Sequence, residues 1–186
     1  MPALDVLKYP LRRDVKTLGT ILGELESPSP VRATFVEDRY GTFVVEGDAV
    51  LSTSVGTLTL AGRFIEQGMK PDRTLRLIVP VTPDSPDTDI VEPATDSDEL
   101  RARVSSLVHG DLVRAGFYVR AYGSFTITGF AVWSAVAETF IVGGWFISAE
   151  GAPAPHLESL TVLAKADEHG APVPPSITAA LDDVVI

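Results

Sequence analysis

Residues 31–66 read VRATFVEDRYGTFVVEGDAVLSTSVGTLTLAGRFIE, and residues 113–148 read VRAGFYVRAYGSFTITGFAVWSAVAETFIVGGWFIS. Aligned without a gap at a constant offset of 82 residues, they agree at 15 of 36 positions. Unrelated segments would share about two or three, since each residue type has a frequency of several per cent. The chain therefore reads as two tandem copies of one small unit. With 186 residues in all, each unit has about 85–90 residues, enough for a modest core.

The repeat extends upstream into a helix. Leu11, Val15, Leu18, Ile21, Leu22 and Leu25 recur at helical spacing, behind Pro10 and ahead of Ser27-Pro28-Ser29-Pro30. Leu100, Val104, Leu107 and Val108 form the matching stripe, with Ser97 or Asp98 as cap and His109-Gly110 as its end. At the same offset Leu100 falls on Leu18, Val104 on Leu22 and Leu107 on Leu25.

Strands follow in each copy. Val31, Ala33 and Phe35 alternate with their neighbours, as do Phe43 and Val45. A third and fourth strand are expected between Ala49 and Ile65, with a turn at Val55-Gly56. A fifth, TLRLIVPV at 74–81, resembles SLTVLAKA at 159–166, an offset of 85 that calls for a three-residue insertion. Shared glycines at 41, 47 and 62, and again at 123, 129 and 144, mark turns, bulges or close approaches. If alternation runs on through the fourth strand, Leu58, Leu60 and Phe64 face inward, as does the pair Val50 and Val132.

The fold class expected is α+β and β-rich: two tandem homologous barrel-like domains, each one N-terminal helix plus about five strands, with an OB-like barrel as one form of it. The divisions are an N-terminal arm at 1–10, a first repeat domain at 11–82, a Pro/Asp-rich acidic linker at 83–97, and a second repeat domain with its tail at 98–186. The tail SITAALDDVVI reads equally as a short helix capped by Ser176 or as a final strand.

Composition excludes several classes. A net charge of −10 disfavours a phosphate-binding surface, so nucleic acid is not the expected partner. With no cysteine there is no thiolate nucleophile and no thiolate metal site. His109, His156 and His169 lack ligand spacing, and Asp84, Asp87 and Asp89 lack the Gly and Glu of a calcium loop. No Walker, Rossmann or nucleophile-elbow pattern occurs. No catalytic, cofactor-binding or metal-ligating residue is predicted. No signal peptide or membrane span is expected, which leaves a cytoplasmic or virion setting.

The copies also differ. Asp48 becomes Phe130, Leu51 becomes Trp133, Thr59 becomes Ile141 and Arg63 becomes Trp145. Polar or small residues of the first copy are aromatic or aliphatic in the second, which predicts an apolar outer patch. Its cover is the first copy or linker, a subunit interface, or a small apolar ligand. The function expected is a non-enzymatic structural or assembly protein, such as a bacteriophage capsid decoration or tail-associated component. Phe130, Trp133, Ile141 and Trp145 are its proposed interface with protein partners. The alternatives are a tandem OB-like binder of single-stranded nucleic acid and a small apolar ligand-binding barrel.

Overall fold

A computed structural model describes residues 13–52, 56–67, 70–81 and 97–179. The N-terminal arm at 1–10, Leu11, residue 55 of the expected turn, the linker up to residue 96 and the tail after 179 lie outside these residues.

Helix α1, Val15–Glu24, starts at Asp14, whose carboxylate accepts the Thr17 amide at 3.2 Å. That amide and the Thr17 hydroxyl hold the Asp14 carboxyl below the usual carboxylate range. Leu18 and Leu22 are buried, while Val15 at the first turn is exposed, so the buried stripe is narrower than the sequence pattern. Helix α2, Ser97–Ser106, buries Leu100 and Val104, the residues offset by 82 from those two.

The strands in the first half are β1 (Ser29–Glu37), β2 (Gly41–Ser52), β3 (Thr57–Leu60), β4 (Arg63–Phe64), β5 (Glu66–Gln67), β6 (Lys70–Pro71) and β7 (Leu75–Pro80). In the second they are β8 (Leu112–Val119), β9 (Gly123–Phe130), β10 (Val132–Ser134), β11 (Thr139–Val142), β12 (Trp145–Phe146), β13 (Ser148–Ala149), β14 (Ala152–Pro153) and β15 (Leu157–Ala164). The described residues are thus β-rich, with two helices and antiparallel sheets.

One sheet runs through both halves in the order β15-β8-β9-β2-β1-β7. Its middle is the antiparallel pairing of β2 with β9: Val44 opposite Thr128, Val45 opposite Ile127, Glu46 opposite Thr126. Adding 82 to 45 gives 127, so the central pair is its own image and the two outer pairs exchange. A pseudo-two-fold axis passes between Val45 and Ile127. The other strand ladders recur at the same offset over most of their length. Phe35 pairs with Phe43 as Phe117 does with Phe125, and the two ring pairs share a 5.4 Å centroid distance. Thr59 pairs with Phe64 as Ile141 does with Phe146.

Three sequence expectations are corrected. The last strand keeps the offset of 82: Phe35 pairs with Leu75 as Phe117 does with Leu157, and a bulge follows Thr34 as it does Gly116. No insertion is needed, because the same bulge stands at the same place in both halves and the register keeps the offset throughout. The expected second and third strands merge into β2, twelve residues long. The fourth breaks at Ala61-Gly62, both at positive φ, as at Gly143-Gly144. A two-residue turn pairs Leu60 with Arg63, so alternation restarts there. Arg63 and Trp145 consequently face in, while Phe64 is exposed and Phe146 half-buried. Val50 is likewise half-buried, unlike Val132.

Odd-numbered residues of the central strands, among them Val31, Phe35, Phe43, Val45, Phe117, Phe125 and Ile127, form one core that joins both halves. Even-numbered residues, including Arg32, Glu46, Arg114 and Thr126, line the other face. Along the seam the contacts are reciprocal. A Cβ on Gly47 would lie 2.9 Å from the Phe125 Cβ, and one on Gly129 would lie 2.8 Å from that of Phe43. Arg63 Nη2 donates to the Gly143 carbonyl at 3.0 Å, and Trp145 Nε1 donates to the Ala61 carbonyl at 3.2 Å.

Candidate functional site

The pseudo-symmetry fails at one place on the even-numbered face. The β2–β9 ladder ends after its three central pairs, and on the even-numbered face a cleft lies at each end of the seam. The two clefts are images of each other, and one is closed.

In the closed cleft Phe130 is buried and its ring lies 5.5 Å from that of His169. A Cβ on Gly41 would meet the Phe130 ring at 3.0 Å and Pro174 at 3.4 Å. The closing segment is the chain after β15, Lys165–Ile177, which opens with a turn at 166–168. Buried Asp111 holds its start, accepting from Lys165 Nζ at 2.6 Å and from the Ala166 amide at 3.0 Å. His169 Nε2 lies 2.8 Å from the Gly110 carbonyl. The Trp133 amide donates to His109 Nδ1 at 2.9 Å, so His109 carries its proton on Nε2 and donates to the Pro174 carbonyl at 2.8 Å. His109 is therefore a clip between β10 and this segment. Ile177 bridges to Ser134, which places the start of the tail as strand-like pairing.

In the open cleft Asp48 stands where Phe130 stands in the other, and it is exposed. A Cβ on Gly123, the image of Gly41, would meet nothing within 4 Å. The result is a groove of about 470 Å³. Its floor follows the ladder Arg32–Glu46–Thr126–Gly116–Ser159 across β1, β2, β9, β8 and β15. The image ladder reads Arg114–Thr128–Val44–Thr34–Leu77. Glu46 replaces Thr128, Ser159 replaces Leu77, and Gly116 replaces Thr34 and lowers the floor. Glu158 stands at the rim where the image has Arg76.

Arg32 Nε donates to Glu46 at 2.6 Å, leaving Asp48 and Glu158 to set a net negative groove. With the hydroxyls of Ser124, Thr126 and Ser159, it can accept hydrogen bonds from, and neutralise, a cationic extended ligand. Among the described residues no group of three or more His, Asp or Glu could hold a metal ion, and no helix is long and apolar enough to cross a membrane.

The residues proposed as an interface lie elsewhere. Ile141 and Trp145 are buried, Trp145 against Phe117 and Phe125 at 5.7 and 5.1 Å and against the carbonyl of Ala61 in the first half. Phe130 closes the occupied cleft. These three offer no surface: the shared sheet places the first half over Trp145, and the terminal segment covers Phe130. Trp133 is half-buried, edge-on to Phe140 at 5.0 Å. The difference Asp48/Phe130 did carry the signal of a site, in the opposite sense: the polar member marks the open cleft. Glu46, Ser124, Glu158 and Ser159 come from three strands, β2, β9 and β15, and share no motif.

No protein-family model matches the chain, and no curated protein or solved structure is significantly similar to it.

Proposed function

We propose that the chain is a non-enzymatic structural or assembly protein that arose by tandem duplication and joins protein partners. The observation that supports it most is the broken pseudo-symmetry. Two image clefts share one sheet; the chain fills one with its own extended segment and leaves the other open. An open copy of a peptide-lined cleft is a docking place for an extended segment. A bacteriophage virion component, such as a capsid decoration or tail-associated protein, is the setting we propose, on composition alone. Carboxylates in the groove count against the single-stranded nucleic-acid reading, since they repel phosphate.

The test is the solution mass of the purified protein by light scattering over a wide concentration range. A defined multiple of 19.8 kDa is expected. A monomer at every concentration overturns the self-assembly reading.

A further inference from the structure

We infer that the open groove takes residues 1–12 of a second copy of this chain, with Tyr9-Pro10 as anchor and Lys8 as the charged contact. This rests on the assembly reading above. Three observations carry it.

The first is the image cleft. It is filled by an aromatic ring and a proline, Phe130 and Pro174, packed around Gly41. Gly123, next to the groove residue Ser124, has the same positive φ as Gly41 with nothing against it. Its occupant should bring an aromatic ring next to a proline. In MPALDVLKYPLR the dipeptide Tyr9-Pro10 does so.

The second is charge. The groove has Glu46, Asp48 and Glu158 against Arg32. Residues 1–12 carry Lys8, Arg12 and one carboxylate, Asp5, in a chain of net charge −10. The linker is ruled out as occupant by the same argument, since residues 83–97 carry Asp84, Asp87, Asp89, Glu92 and Asp96 and no cation.

The third is reach. Arg13 is held by the carbonyls of Pro71, Asp72 and Leu75. That is the far end of β7 from Val81, which borders the groove. Four residues from Arg13 back to Tyr9 span at most about 14 Å. The run from Leu75 to Val81 alone is about 20 Å, and the cleft lies two strands further over. This favours a neighbour's segment over the chain's own.

The experiment uses the full chain. A fluorescent peptide MPALDVLKYPLR is titrated against it, and its mass is followed by light scattering with and without excess unlabelled peptide. The expected result is self-association that the free peptide dissolves. Asp48→Phe places in the open cleft the ring that closes its image. It should weaken peptide binding at least tenfold with no loss of melting temperature. Asp48→Lys should weaken association comparably, and adding Lys8→Glu in the same chain should restore it, a rescue that misfolding cannot imitate. Association that survives Asp48→Phe and Asp48→Lys overturns the inference and leaves the assembly reading standing. A monomer at all concentrations overturns both. Peptide binding by a protein that stays monomeric assigns the groove to the chain's own arm and overturns docking between copies.

Discussion

Arg63 and Trp145 show how one position is solved twice. Each follows a two-residue turn, faces inward and donates one N–H to a carbonyl of the opposite half. Arg63 lies 4.9 Å from the Phe43 centroid, and Glu37 neutralises it at 2.5 Å. The image of Glu37 is Val119, so an arginine at 145 would be buried without a carboxylate. Trp145→Arg should lower the unfolding free energy by about 3–5 kcal/mol. Adding Val119→Glu should recover a large part of that loss. A double-mutant cycle by urea denaturation measures the coupling; additive effects would refute the pairing. The glycines of the seam make a second case. Gly47→Ala and Gly129→Ala each push a Cβ onto a phenylalanine of the other half and should cost about 1–3 kcal/mol, to similar extents. Gly23→Ala, in α1 with nothing within 4 Å, should instead stabilise by up to about 1 kcal/mol. The same denaturation curves decide both. Residue identity announced these positions, but not their roles. Arg63/Trp145 was visible as a difference, while the turn that sends both inward depends on two positive-φ residues that alternation ignores.

At the scale of elements, helices were legible because apolar spacing acts locally, although that spacing does not point to the cap at Asp14, and Asp98, offered as a cap, lies inside its helix. Strands β1 and β2 were legible for the same reason: one buried face imposes alternation. The bulge beside Phe35 and Phe117 was not, because a bulge is a relation between two strands. The extended segment after β15 is the element least visible in sequence. It has no period, and what holds it is a set of distant polar groups: Asp111, His109 and the carbonyl of Gly110. His109→Ala leaves the Trp133 amide and the Pro174 carbonyl without this partner. It should cost about 1–3 kcal/mol. It should also speed hydrogen exchange at the amides of Ala135 and Ile177, which bond across to the segment and to β10. Unchanged protection at both amides would show that the histidine does not hold the segment.

For the whole molecule, the sheet shared between halves is the governing fact. Three residue pairs of β2 and β9 join the halves, and the core is common to both. A unit of about 85 residues buries a modest core alone; here Phe43 and Phe125 each complete the packing of the other half. The shared sheet also explains why the apolar residues gained by the second half are not a surface. Trp145 faces the first half and Phe130 the terminal segment, so their burial is internal.

The sequence by itself determined the recurrence at an offset of 82, the helices at Val15–Glu24 and Ser97–Ser106, the phase of the central strands and the inward-facing positions Phe35, Phe43, Phe117 and Phe125. Each of these follows from local periodicity or from comparing two stretches of one chain. Only the tertiary structure decided that the units share a sheet, that Trp145 and Phe130 are covered from within, and that Asp48 opens a groove lined from five strands. Those outcomes depend on which edges pair and on which side chains then meet across the seam. Contacts of that kind join residues about eighty positions apart, and no local pattern encodes them.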